Sequence, residues 1–190
     1  MNNRLVRIVL SLVVGSVAVA IGLYFGRFIA AVVALPFASS RQAIPFATGI
    51  TWWAFVGLIA GLGLAFAAMG RRRVRLILAS VVGFGLGGAL AVLLVTAGGA
   101  NRASALIALA TPLGGALAGL LIGWAAGSGA RSSLMLIAGA LAMAIATPHI
   151  GSVIPPSDWI ALLLPGAIIG ATLGAIAPLT GDNPSAQPSL

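Results

Sequence analysis

"MGRRRVRLILASVVGFGLGGALAVLLVTA", residues 69–97, sets four arginines in five positions ahead of 22 residues that carry no charge. At ~1.5 Å per residue, a helix of that length spans the ~30 Å hydrocarbon core of a bilayer. Lipid offers an unpaired backbone no hydrogen-bond partner, and the stretch lacks the alternation of a barrel strand, so the apolar run must be helical. It reads as a basic loop leading into a transmembrane helix.

The rest of the chain repeats this pattern. Of its 190 residues 61% are hydrophobic and 6% charged, with a mean hydropathy of +1.17, too few polar side chains to cover a soluble surface. Six spans are expected, at about 8–26, 50–69, 76–97, 103–126, 133–149 and 159–178. The fold class is therefore an all-α integral membrane protein, a six-transmembrane-helix bundle with a single domain over 1–178. The tail 179–190, "LTGDNPSAQPSL", has the composition of a disordered cytoplasmic end. The opening "MNNRLVRIVLSLVVGSVAVAIGLYF" has the basic and apolar regions of a signal peptide, but its apolar character continues to about Ala34, which favours an uncleaved signal anchor. Between the first two spans, residues 28–46 read as an extension of the first helix and then a turn along the outer interface, with Pro36 and Pro45 bracketing Arg41.

Orientation follows from the arginines, the sole source of positive charge besides His149. With a cytoplasmic N-terminus, Arg4, Arg7, Arg71, Arg72, Arg73, Arg75 and Arg131 lie inside and Arg27, Arg41 and Arg102 outside, a split of seven to three. Both termini are then cytoplasmic, in the cell (inner) membrane. Tyr24, Trp52, Trp53 and Trp159 fall at outer ends and Trp124 near an inner end, as amphipathic rings do at membrane interfaces. The net charge of +8 would suggest nucleic acid in a soluble protein, but here the cations sit at the ends of apolar segments. Arg71, Arg72, Arg73 and Arg75 are accordingly read as topology anchors. A specific site for anionic lipid headgroups or an acidic partner is the second reading, and no nucleic-acid partner is expected.

An internal repeat emerges when helices are superposed by number. An offset of 68 brings Arg4, Arg7, Leu10 and Gly15 onto Arg72, Arg75, Leu78 and Gly83; a further 56 brings Arg75, Leu78 and Gly83 onto Arg131, Leu134 and Gly139. In the even helices Gly57, Gly61 and Ala65 fall on Gly115, Gly119 and Gly123, then on Gly166, Gly170 and Gly174, at offsets of 58 and 51. Three parallel helical hairpins with shortening outer loops would produce this series. Mitochondrial carriers share three two-helix repeats, but their Pro-x-acid-x-x-base signature is absent. The glycines, one every four residues, form small-residue faces that let a neighbouring backbone approach closely; they suit packing inside the bundle, a cavity lining or another membrane subunit.

Signs of chemistry are sparse. "GFGLGG", 83–88, fits a nucleotide-binding spacing but lies mid-helix with no strand before it. Thr111-Pro112, Thr147-Pro148 and Pro165 mark helix kinks, and a ligand region is sought at Pro112 and Pro165. His149 and Asp158 offer a binding or proton-handling pair, although Asp158 also suits capping of the sixth helix, and two such residues do not complete a metal site. The chain has no cysteine, lysine or glutamate, and no span carries an ionisable residue at its centre, so neither enzyme nor cofactor is expected.

Two functions follow. One is a non-enzymatic accessory or structural subunit that packs against membrane partners through its glycine-rich faces. The other is a transport component. "ATPLGGALAGLLIGW", 110–124, resembles over about fifteen residues the GP-x-x-G-x-x-x-G helix of the six-helix substrate-binding subunits of energy-coupling-factor vitamin transporters. The resemblance implies a small, largely neutral solute held between helices; that family's polar ligand-contacting loops have no counterpart here.

Overall fold

A computed structural model describes residues 3–40, 43–68, 73–98, 103–126, 132–150 and 159–176. They form six α-helices: α1 (Asn3–Ala34), α2 (Ala43–Ala68), α3 (Arg73–Gly98), α4 (Ala103–Ala125), α5 (Ser132–Ile150) and α6 (Trp159–Ile176). A 3-10 turn, Leu35–Phe37, follows α1, and no strand occurs among the described residues. Four helices, α1 to α4, are long and apolar enough to cross a membrane, whereas α5 and α6 carry the shorter apolar stretches Ser132–Ile145 and Leu163–Ala175. Residues 177–190, and with them the predicted tail, lie outside the described residues.

The first helix continues to Ala34 and ends in the turn that contains Pro36, as the apolar run after Arg27 implies. The start of α2 corrects the expectation: it begins at Ala43 rather than about 50, so Pro45 lies inside the helix. A proline in the first turn sacrifices no bond within the helix, because the first-turn N–H groups have no acceptor inside it. Ser40 sets the start: its Oγ accepts from the Ala43 N–H at 3.2 Å and its carbonyl accepts from the Ile44 N–H at 3.2 Å.

The helices close into a ring. Each packs on its neighbours in the chain, α6 returns to α1, and α5 meets α6 less extensively than the other adjacent pairs meet. Close contacts such as Gly22 with Val56, Gly83 with Ala118 and Gly170 with Ser11 run in opposite senses along the paired helices, so neighbours are antiparallel. Arg7, Arg73 and Arg75 consequently share one end of the bundle with the C-terminus of α6.

All six helices contribute to one continuous core, in which Val56, Leu64, Ile122, Met135, Met143, Ile169 and Leu173 are fully buried. Trp53 stacks between Trp52 and Phe84, with centroids at 5.7 and 6.3 Å, and the Trp52 indole N–H donates to the Leu23 carbonyl at 3.3 Å. The outer surface is apolar as well: Val32, Leu35, Phe66, Val74, Leu78, Ile137 and many others stand exposed. Polarity therefore does not separate inside from outside; glycines and alanines line the helix–helix contacts, and large apolar side chains both fill the core and cover the perimeter. That is the arrangement expected of helices that are apolar all round and surrounded by lipid.

Candidate functional site

The glycines that recur every four residues in the even helices face the odd helix that follows in the ring, whereas Gly63 faces α1 and Gly114 faces α3. A methyl group added to Gly115 would strike the Gly139 carbonyl and the Met143 side chain, one on Gly119 the Met135 carbonyl, and one on Gly123 would stand 3.0 Å from Ser132 Cα. In the α6–α1 pair, one on Gly166 would strike the Gly15 carbonyl, one on Gly170 the Ser11 carbonyl, and one on Gly174 would stand 2.9 Å from Ile8 Cα. Gly15, Ser11 and Ile8 are the residues that the odd-helix offsets superpose on Gly139, Met135 and Ser132. In α2, Gly57 meets the Ser80 carbonyl and Gly61 lies 2.9 Å from Ile77 Cα by the same measure, so Ser80 takes the place that the offsets give to Gly83. Gly83 faces α4 instead, its methyl position 2.7 Å from Ala118 Cα, and Gly87 follows at 2.8 Å from Gly114 Cα. Every even-helix glycine singled out in the sequence is therefore covered by a helix of the same chain.

Two hydroxyls bridge the α4–α5 contact. Thr111 Oγ1 and Thr147 Oγ1 hydrogen-bond to each other, and they lie 2.8 Å from the Ile107 carbonyl and 2.7 Å from the Met143 carbonyl; with one proton apiece, one hydroxyl donates to the other while its partner donates to the carbonyl four residues earlier. Beside Thr111 lies an interior void of about 10 Å³, bounded by Trp53, Phe84, Gly87, Gly114 and Met143. That is room for a single water. Of the predicted ligand region, Pro112 lies half-buried in α4 and Pro165 fully buried in α6 beside Gly166. The two prolines belong to different seams, since α4 packs on α3 and α5 while α6 packs on α5, α1 and briefly α2. His149 falls in the last turn of α5, and Asp158, like Arg71, Arg72 and Arg131, lies outside the described residues. Among the described residues no three His, Cys, Asp or Glu gather as a metal site would require.

The arginine-bearing end contrasts with this closed interior. Arg7 is drawn into the fold: its Nε donates to the Gly174 carbonyl at 3.2 Å, in the last turn of α6, where carbonyls lack helical partners. Arg73 and Arg75 are exposed in the first turn of α3, and no acidic residue stands in the first turn of any helix. Cations at a helix N-terminus oppose the helix dipole, so helix stability does not explain their position. At this same end a lateral groove of about 670 Å³ lies between α3 and α4, bordered by Arg75, Leu78, Ala79, Val82, Leu121, Trp124 and Ala125. The sequence carries one faint signal of it: residues 75, 78, 79 and 82 form a single helical stripe. Only the pairing of that stripe with 121, 124 and 125 makes a groove.

Near the opposite end, Arg27 lies between two rings of its own helix, its guanidinium carbon 4.8 Å from the Tyr24 centroid and 4.7 Å from that of Phe28. Cation–π attraction offsets part of the cost of holding this charge among apolar side chains.

No protein family, curated protein or solved structure matches the chain.

Proposed function

We propose that this is a non-enzymatic, six-span protein of the cell (inner) membrane that acts as an accessory or structural subunit. Its partners meet the outer perimeter of the bundle, because the glycine-rich faces are already occupied by its own helices. The observation that carries this reading is the close packing of the described helices: seams in which a methyl group has no room, with a void of only about 10 Å³ beside Thr111. A bundle packed in this way presents lipid-facing side chains, not a solute path. The three-hairpin repeat is supported by the α4–α5 and α6–α1 contacts, which pair equivalent residues under the sequence offsets. α5 and α6, at 19 and 18 residues, reach ~27–28 Å, so all six helices can serve as spans with both termini on the arginine-rich, cytoplasmic side.

Photo-crosslinking in intact membranes provides the test. A photoreactive side chain at perimeter positions Leu86 or Leu141 is expected to give a discrete, stoichiometric adduct with another membrane chain. Absence of any adduct, together with a saturable rise in melting temperature when vitamins or other neutral solutes are added to the purified chain, would overturn the subunit reading in favour of solute binding.

A further inference from the structure

We propose that the lateral groove between α3 and α4 holds one anionic phospholipid, its phosphate on Arg75 and the first part of an acyl chain along Leu78, Val82 and Leu121. This rests on the bundle standing in a bilayer, and it deepens the proposed function by naming a specific lipid as a ligand.

The groove has a floor, walls and a mouth of different chemistry. Ala79 and Ala125 form the floor, and their small side chains give it depth; Leu78, Val82, Leu121 and Trp124 form the walls. Leu78 is 57% and Trp124 73% exposed, so the groove opens sideways toward the lipid rather than into the bundle. It runs ~10 Å along α3, from Arg75 to Val82, and ends where Gly83 comes against Ala118. Its volume of about 670 Å³ lies within the ~300–1,000 Å³ of small-molecule sites.

Charge complementarity selects the occupant. Arg75 stands at the mouth of an otherwise apolar groove, at the end of the bundle that also carries Arg73. No acidic side chain lies among the described residues, and no described residue accepts a hydrogen bond from Arg75. Its counterpart under the repeat, Arg7, is instead engaged by the Gly174 carbonyl. A guanidinium fork above an apolar channel matches a phosphodiester with an attached acyl chain, and the Trp124 indole supplies the amphipathic wall favoured at headgroup depth. A zwitterionic lipid offers the same chain without the net negative charge.

The experiment uses the full chain purified in a nonionic detergent, with phosphatidylglycerol or phosphatidylcholine of identical acyl chains added at equal amounts and lipid retention read by native mass spectrometry. One phosphatidylglycerol is expected to be retained in preference to phosphatidylcholine. Arg75→Gln should lower that retention about fivefold and leave phosphatidylcholine unchanged, whereas Arg73→Gln, outside the groove, should change it by less than about twofold. Equal retention of the two lipids, or an Arg75→Gln chain that keeps the preference, overturns the proposal. So does full displacement by millimolar inorganic phosphate, which would assign a free-anion site, or an acidic segment of another chain crosslinking at Trp124 in place of lipid. A chain that remained soluble without detergent would instead refute the membrane reading itself.

Discussion

The α3–α4 pair is closed in its middle and open at one end, within a single pair of helices. Around Gly83, Gly87, Gly114 and Ala118 the backbones approach so closely that a methyl group on Gly87 would stand 2.8 Å from Gly114 Cα. One to two turns away, where Leu78 and Val82 face Leu121 and Trp124, the same helices leave about 670 Å³ between them. Both regions are apolar, so hydrophobicity does not separate them. In lipid, where burying apolar surface gains little, contact area depends on how closely backbones can come, and small residues at matched heights decide that. At the open end the small floor residues Ala79 and Ala125, flanked by the outward-standing Leu78 and Trp124, leave a recess between the helices instead.

The comparison is most exposed to Gly87→Val. Two methyl groups would press on the Gly114 backbone, which cannot swing aside as a side chain does. A loss of about 2–3 kcal/mol is expected, read as a melting midpoint in detergent lowered by roughly 5–10 °C. A variant that melts with the parent would mean that this region is no tighter than the groove.

A smaller effect sharpens the account of closure by asking whether hydrogen bonding adds to close packing. Thr111→Val and Thr147→Val, singly and together, form a double-mutant cycle across the α4–α5 contact. A coupling of about 0.6 kcal/mol, up to ~1.7, is expected from thermal unfolding. A coupling near zero would leave the glycine contacts alone to hold α4 against α5.

The smallest effect belongs to the open end. Ala79→Leu puts three more carbons onto the groove floor, where space exists, and should shift stability by less than about 0.5 kcal/mol. A fall in the melting midpoint as large as that of Gly87→Val would erase the distinction between seam and groove.

Much of the architecture is legible in the residues because lipid imposes few choices. The uncharged run after Arg75 can only be a helix, and the starts and ends of α3 to α6 fall within a few residues of the expected spans. The start of α2 was harder to read, since Pro45 looks like a breaker until Ser40 is seen capping the helix. The glycine faces were legible as contact surfaces, but not their partners: the spacing that suits another subunit also suits α5 against α4. The groove was hidden for a related reason. It depends on the height at which 75–82 meets 121–125, and neither stripe carries that information alone. Pro112 and Pro165 show the converse, two similar local signals that the fold assigns to separate seams.

Closure of α6 onto α1 has a consequence for biogenesis. Of the six helices α1 is made before the rest, and it presents Ile8, Ser11 and Gly15 to a partner that is the last of the six to be made. Until α6 arrives, that face of α1 is unmatched, and the ring of helices is an open arc. Closure of the ring is therefore a late, long-range event, and truncation within α6 uncovers more of α1 than of α5.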